Sequence, residues 1–455
     1  MSYEVTCNSL KSIIANRLAP FLLLNAALIA LFSSCSVQKQ IAKSAKADVL
    51  ETEALQTAHV GISIFDPATN KYLYNYQGDK YFVPASNTKI PTCFAAMKYL
   101  GDSLVGLKYK LQDGEYIIQG AGDPTFLNQE YTNQPVFDFL KTLGNKTLAH
   151  FSTANWKDDQ WGSGWSWNDY EEYYMAERSP FPVYGNMASF AFNGNTIKAT
   201  PSFFDSSILY QPGVTPAYGY ISRVLNKNEF TVTKSNVKFT KHEIPFVTNG
   251  YYTAALLLND TLHSTKPVFQ LPGYLTVPED LTVIHSQPTD AVLKPMMHRS
   301  DNFFAEQSLL MVSNEKLGVM NDAMIIDTLL KTDFKDLPQK PHWVDGSGLS
   351  RYNLFTPQDF VAILNKMKNE FGMERIKNIL PTGGEGTISS YYKADSGYIY
   401  VKTGTLSGVV ALSGFLYTKK DRQLIFSMLV NNHNNTATEV RKAFEKFLLR
   451  IREKY

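Results

Sequence analysis

At 455 residues the chain has room for two or three domains, and an apolar share of 44% with 26 Tyr and 28 Phe supplies ample core. Lys and Arg number 44 against 42 Asp and Glu, a formal charge of +2, which argues against the concentrated basic face of a nucleic-acid binder. The 3 Cys and 8 scattered His include no Cys-x-x-Cys or His-x-x-x-His pair, so the sequence points to no metal site and no cofactor.

The N-terminus reads as a leader. Lys11 and Arg17 precede an apolar run over 18–32, too short for a comfortable membrane span, and Ser33 and Ser34 lead to Cys35. Phe32-Ser33-Ser34-Cys35 resembles a lipobox, where cleavage leaves a cysteine that takes lipid. The reading is therefore a lipoprotein-type signal peptide over 1–34, lipidation at Cys35 and a short polar tether over 35–53. The alternative is an ordinary signal peptide with an incidental cysteine. With Cys7 removed and Cys35 acylated, Cys93 remains alone as a small core residue, and no disulfide is possible.

Residues 60–65 and 72–76 are β-like around the turn Asp66-Pro67-Ala68-Thr69-Asn70, a hairpin that leads into Pro84-Ala85-Ser86-Asn87-Thr88-Lys89. From Ile90 on, Cys93, Phe94, Met97 and Leu100 recur at helical spacing. Ser86 and Lys89, three apart, share a helix face if Ser86 lies in or just before the first turn. A buried lysine gives up its proton readily, and a neutral amine beside a hydroxyl can activate it as a nucleophile.

Between 104 and 281 short β-like runs dominate, at 108–111, 116–119, 189–192, 196–200 and 230–237, with helical pieces near 136–143 and 251–258. This is read as an inserted β-rich module. Trp156, Trp161, Trp165 and Trp167 cluster before the run from Asp169 to Tyr174, as core or as the lining of a ligand groove. Past Ser286 the chain turns helical over 291–297 and again from Phe303, on either side of Arg299-Ser300-Asp301-Asn302. A tight loop runs from Asp345 to Ser350, strands are expected at 398–405, 409–417 and 424–431, and Val440, Phe444, Phe447, Leu448 and Ile451 mark a closing amphipathic helix. Residues 54–103 and 282–455 thus form one α/β sheet domain split by the insertion.

Ser86-x-x-Lys89, Ser300-Asp301-Asn302 and Lys402-Thr403-Gly404 now stand in order. This is the motif set of class A β-lactamases and penicillin-binding proteins. Asp345-Gly346-Ser347-Gly348-Leu349-Ser350-Arg351, the run from Lys402 to Phe415, Gly120-Ala121-Gly122-Asp123-Pro124-Thr125 and Gly164-Trp165-Ser166-Trp167-Asn168-Asp169 resemble the low-molecular-mass class C penicillin-binding proteins, the type-4 D-alanyl-D-alanine carboxypeptidases and endopeptidases. Ala121 departs from the usual glycine, away from the three motifs. The 214 residues between Ser86 and Ser300 suit that family, which carries extra domains there.

The resemblance implies a penicillin-binding/β-lactamase-like serine transpeptidase fold, an antiparallel sheet flanked by helices with a β-rich insertion. It implies Ser86 as nucleophile, Lys89 as base, Ser300 with Lys402 as proton relay, and Asn302 gripping the substrate backbone. The N–H groups of Ser86 and Thr405 would form the oxyanion hole, and Thr403, Gly404 and Thr405 would receive a terminal carboxylate. Asp169 would approach the substrate's diamino acid, or be an ordinary surface acid; Arg351 supports substrate binding or pairs with an acid. The implied partners are peptidoglycan peptides ending in D-alanine and β-lactams as covalent inhibitors, with no nucleic acid, and with the membrane reached through the N-terminal lipid alone in the periplasm. A β-lactamase and a non-catalytic penicillin-binding lipoprotein on the same fold remain the alternatives.

Overall fold

The computed structural model of the protein describes residues 37–143, 147–193, 196–211, 220–233, 241–263, 269–270 and 279–455. The leader 1–34, Cys35 and the end of the strand expected at 230–237 lie outside these residues.

Residues 37–45 form a helix, α1, continued by a wider helical turn at Lys46–Leu50. Composition predicts a polar tether here, but Ile41, Ala45 and Val49 are fully buried. They recur every four residues, so they form one helix face, and that face packs with Phe444, Phe447 and Leu448. Asp48, buried beside them, pairs with Arg450 at 2.8 Å and Lys446 at 3.2 Å.

β1 (His59–Asp66) and β2 (Lys71–Tyr76) make the expected hairpin. A 3-10 turn at Ala85–Thr88 then runs straight into α2 (Lys89–Tyr99). The insertion begins with β3 (Ser103–Gln112), β4 (Glu115–Gly120), α3 (Pro135–Thr142) and β5 (Ala149–Ser152). It continues through β6 (Met187–Asn193), β7 (Thr196–Thr200), β8 (Ile208–Gln211), β9 (Tyr220–Arg223), β10 (Phe230–Thr233) and β11 (Lys241–Pro245). It ends with α4 (Tyr252–Thr261), β12 (Phe269–Gln270) and β13 (Thr282–Pro288). The sheets are ordered β12-β5-β4-β3-β13, β11-β6-β7 and β8-β10-β9. β13 pairs antiparallel with β3, so the first sheet of this region, expected to be an insertion over 104–281, includes a strand that runs to Pro288. The strands that leave and re-enter the parent domain satisfy each other's backbone.

The helical half comprises α5 (Thr289–His298), α6 (Asn302–Leu317), α7 (Asp322–Lys331) and α8 (Pro357–Ile379). α8 opens on a capping box, Thr356 Oγ1 accepting from Asp359 N at 3.1 Å and the Asp359 carboxylate from Thr356 N at 3.0 Å. β14 (Ile399–Leu406), β15 (Val409–Tyr417), β16 (Gln423–Asn431) and α9 (Ala437–Lys454) complete the chain.

The parent sheet is ordered β14-β15-β16-β1-β2 and is antiparallel throughout. Alternating side chains point to opposite faces. Ile425 and Leu429 of β16 join Phe94, Leu293, Leu309 and Phe360 on one side. Leu424, Phe426, Met428 and Val430 join Ile41 and Phe444 on the other. The result is an antiparallel sheet flanked by helices on both faces, with one edge strand, β14, against the Ser86 turn.

Candidate active site

The turn carrying Ser86 is clamped from three directions. Below it, buried Asn87 donates from Nδ2 to Ser413 Oγ at 2.6 Å, and Ser413 Oγ meets Ser427 Oγ at 2.8 Å. Ser413 and Ser427 are partners across β15 and β16, so two hydroxyls within otherwise apolar strands anchor the turn. Beside it, a Cβ on Gly348 would lie 1.9 Å from the Ala85 carbonyl oxygen, and Gly348 has φ +81°. On the third side a Cβ on Gly404 would lie 2.7 Å from Pro84 O and 3.0 Å from Ser86 N. Glycine at both positions lets the Asp345 loop and β14 touch the backbone of the turn.

Lys89 is fully buried at the start of α2. Its Nζ lies 2.9 Å from Ser86 Oγ, 2.6 Å from Asn302 Oδ1 and 2.8 Å from the Ser347 carbonyl oxygen. The last two can only accept. When Lys89 is neutral they take both N–H groups, and the lone pair is left facing the Ser86 hydroxyl. Burial lowers the amine to about 8, against the opposing pull of Asp345, Glu306 and Asp301.

Lys402 is buried on β14 and donates to Ser300 Oγ at 2.8 Å and to the Thr403 carbonyl oxygen at 2.7 Å. Burial, and then the charge of Lys89, hold it well below the ordinary lysine range. Ser300 joins α5 to α6 at φ +65°, a conformation that costs a non-glycine residue free energy and recurs at functional sites. Asp301 caps α6, its Oδ1 accepting from Phe304 N at 2.9 Å. Asn302 is engaged at both ends: its Oδ1 accepts from Lys89 and its Nδ2 donates to the Tyr174 carbonyl oxygen at 3.1 Å. The amide expected to grip substrate therefore ties Lys89 to the insertion in this structure.

Ser86, Ser300 and Asn302 open onto one cavity of about 1230 Å³, which Thr403, Thr405, Asp169 and Arg351 also line. Thr403 Oγ1 meets Thr387 Oγ1 at 2.7 Å. Arg351 is exposed and donates to the Ser407 carbonyl oxygen at 3.0 Å rather than to an acid. Of the aromatic cluster, Tyr173 and Tyr174 line the cavity. Trp165 instead donates from Nε1 to Asp345 Oδ2 at 2.9 Å, joining the insertion to the loop behind Lys89.

Asp345 holds that loop, accepting also from Gly348 N at 2.8 Å, Ser350 N at 2.6 Å and Asn353 Nδ2 at 2.7 Å. Glu306 is missing from the residues that the motifs single out. Its Oε1 accepts from Ser347 N at 2.7 Å, and Ser347 is the residue whose carbonyl holds Lys89. Burial first, then repulsion from Asp345, push the Glu306 carboxyl up to about 8. Its sequence signal is its spacing, four residues after Asn302 on the same face of α6. Buried Arg178 stands 3.6 Å from Glu306 and pairs with Asp158 at 2.7 Å and Asp322 at 2.6 Å. Arg178 thereby ties its own segment to α6 and α7 by charge.

The D-Ala-D-Ala carboxypeptidase 3 (S13) family model matches residues 42–451. A D-alanyl-D-alanine carboxypeptidase of Actinomadura sp. (strain R39) is 27% identical over 448 aligned positions, covering 86% of this chain and 80% of that protein. The D-alanyl-D-alanine carboxypeptidase DacB of Haemophilus influenzae is 24% identical, covering 83% of this chain and 86% of that protein. In three dimensions the chain resembles penicillin binding protein 4 (dacB) of H. influenzae, with TM-score 0.71 and 21% identity over 91% of this chain and 99% of that one. The same fold is therefore seen here and there, and, with the family model spanning nearly all of the described chain, this protein belongs to the D-Ala-D-Ala carboxypeptidase 3 (S13) family.

Proposed function

We propose that the protein is a serine-type D-alanyl-D-alanine carboxypeptidase/endopeptidase that acts on peptidoglycan stem peptides through a Ser86 acyl-enzyme and is acylated by penicillin. The observation that carries this reading is the pair of amine–hydroxyl contacts, Lys89 with Ser86 at 2.9 Å and Lys402 with Ser300 at 2.8 Å, at one cavity.

Ser86 Oγ attacks the carbonyl carbon of the scissile bond and Lys89 Nζ takes its proton. Backbone N–H groups of Ser86 and Thr405 receive the oxyanion; such a donor is worth about 3 kcal/mol. The proton passes through Ser300, held by Lys402, to the leaving nitrogen, and D-alanine or the cross-linked amine departs. Water then splits the ester and restores Ser86. Asn302 orients Lys89, Thr403 and Thr405 receive the terminal carboxylate beside Gly404, Asp169 approaches the diamino acid, and Arg351 supports substrate binding at the rim of the cavity.

The protein works in the periplasm, held to a membrane by lipid on Cys35. With α1 packed from residue 37, the two intervening peptide links reach only about 7 Å. The catalytic domain would then ride close to the bilayer rather than on a long tether.

The test is incubation of purified protein with cell-wall fragments and with labelled penicillin, both read by mass spectrometry. Loss of one alanine per stem reports carboxypeptidase action, and loss of cross-links endopeptidase action. A persistent penicillin adduct on Ser86 supports the acyl-enzyme, whereas rapid turnover of the β-lactam favours a lactamase. A protein that releases no peptide product and forms no adduct overturns the proposal.

A further inference from the structure

Arg441 belongs to no motif, yet it stands on α9 at the side of the cavity formed by the end of β14. Its Nη2 donates to Thr405 Oγ1 at 2.6 Å, and its side chain lines the cavity together with Ser86, Thr403 and Thr405. The placement is built into the helix start. Thr436 and Glu439 form a capping box there, and Val440 and Phe444 are buried in the core beside Arg441.

Two other arginines line the same cavity and are committed elsewhere. Arg299 pairs with Glu130 at 2.7 Å and with Asp301 at 3.1 Å, and Arg351 is turned to the Ser407 carbonyl. Among the described residues no carboxylate lies within ion-pairing distance of Arg441, whose polar contact is the Thr405 hydroxyl. A guanidinium offers its N–H groups in a planar fork that matches a carboxylate. Because Thr405 Oγ1 already accepts from Arg441, its own hydrogen is left to donate to a ligand.

We propose that Arg441 binds the α-carboxylate of the substrate's C-terminal D-residue, completing with its guanidinium the subsite that Thr403 and Thr405 begin. The assignment rests on the peptidase reading above and adds to it the source of the counter-charge. Lys402 cannot supply that charge reliably: its hydrogens are engaged by Ser300 and Thr403, and burial favours its neutral form. An arginine stays charged at every working pH. The β-lactam carboxylate, which occupies the equivalent position, would meet the same group.

The test compares an acylated L-lysyl-D-alanyl-D-alanine with its C-terminal amide on the full chain. Release of D-alanine or D-alaninamide is measured for wild type, Arg441→Ala and Arg441→Lys, with attachment of labelled penicillin at Ser86 run alongside. The wild type prefers the acid. Arg441→Ala lowers the acid-to-amide ratio of kcat/KM by about 10- to 100-fold, the worth of a charge-assisted hydrogen bond. Arg441→Lys lowers it less, since it keeps a point charge without the fork. The ratio compares two substrates on one preparation, so an unfolded fraction cancels. An unchanged ratio in Arg441→Ala, in a protein whose Ser86 still takes penicillin, overturns the assignment and leaves the peptidase reading standing. A wild type that takes no penicillin and releases no alanine overturns that reading and the assignment with it.

Discussion

Raising the pH from about 6 to about 9 should speed the attack of Ser86 on a β-lactam, because only the neutral amine of Lys89 can take the hydroxyl proton. With Lys89 lowered to about 8, roughly 1% of it is neutral at pH 6, roughly 10% at pH 7 and half at pH 8. An exposed lysine at its ordinary value of 10.5 would be neutral in only about 0.03% of molecules at pH 7. Burial thus raises the population of competent base by roughly 300-fold, equivalent to about 3 kcal/mol. The structure shows what holds this gain in check: Asp345, Glu306 and Asp301 all favour the charged form.

The assay is the second-order rate of labelled penicillin attachment across that range, with Lys89→Arg as control. Arginine keeps the positive charge but cannot release its proton. The expected profile climbs about tenfold per pH unit and levels off above about 8, and the arginine variant is inert. A flat profile, or an arginine variant that acylates at the wild-type rate, would refute the assignment of Lys89 as base.

Three further outcomes follow from the same contacts. The carboxyl of Glu306 is raised from 4.5 to about 8, so its contribution to stability is fully present below about 4.5 and is lost as pH rises through about 8. Thermal unfolding should show the wild type losing more stability than Glu306→Gln between pH 5 and pH 8; equal losses would contradict the shift. Gly404→Ala would press a methyl on Pro84 O and Ser86 N, a clash relieved by a shift of some tenths of an ångström, and a full displacement of about 1 Å at a reacting group costs about 100-fold in rate. Penicillin attachment should fall, by less than that ceiling, while the circular dichroism spectrum is kept, and a fully active variant would show that β14 does not set the position of Ser86. Removing the chain up to residue 53 uncovers the surface against which Ile41 and Val49 pack, at about 1.5–3 kcal/mol for each large side chain. The denaturant midpoint should drop accordingly, and an unshifted midpoint would mean that α1 contributes nothing.

The groups proposed to handle protons, Ser86, Lys89, Ser300 and Lys402, stand out in the sequence because that chemistry restricts residue type and spacing. Ser86 and Lys89 must share a helical turn, and that local spacing survives whatever the rest of the chain does. The parent sheet is legible for a related reason: β15 and β16 are buried on both faces and read as apolar runs. α1 and the turn after it escape because polar and small residues dominate their composition, while the apolar side chains fully buried there are only Ile41, Ala45 and Val49. α8 and α7 escape as well, although the sequence carries their start signals in the Thr356–Asp359 capping box and the Asn321 cap, whose Oδ1 accepts from Met324 N.

What escapes at the site is of a different kind. Asn87 is chosen by Ser413, 326 positions away, and Ser413 by its cross-strand neighbour Ser427. Gly348 is required by a carbonyl oxygen at Ala85, an atom that every residue type carries. Arg441 is one cation among many on an amphipathic helix until β14 brings the Thr405 hydroxyl to it. On the proposed mechanism the motifs record the groups that make and break bonds, since those cannot be exchanged for another chemistry. The groups that hold them in place, or that neutralise the substrate's charge, need only the right reach from wherever the fold happens to pass. Two chains with the same three motifs can accordingly share a reaction and still differ in which residue receives the substrate's terminal carboxylate.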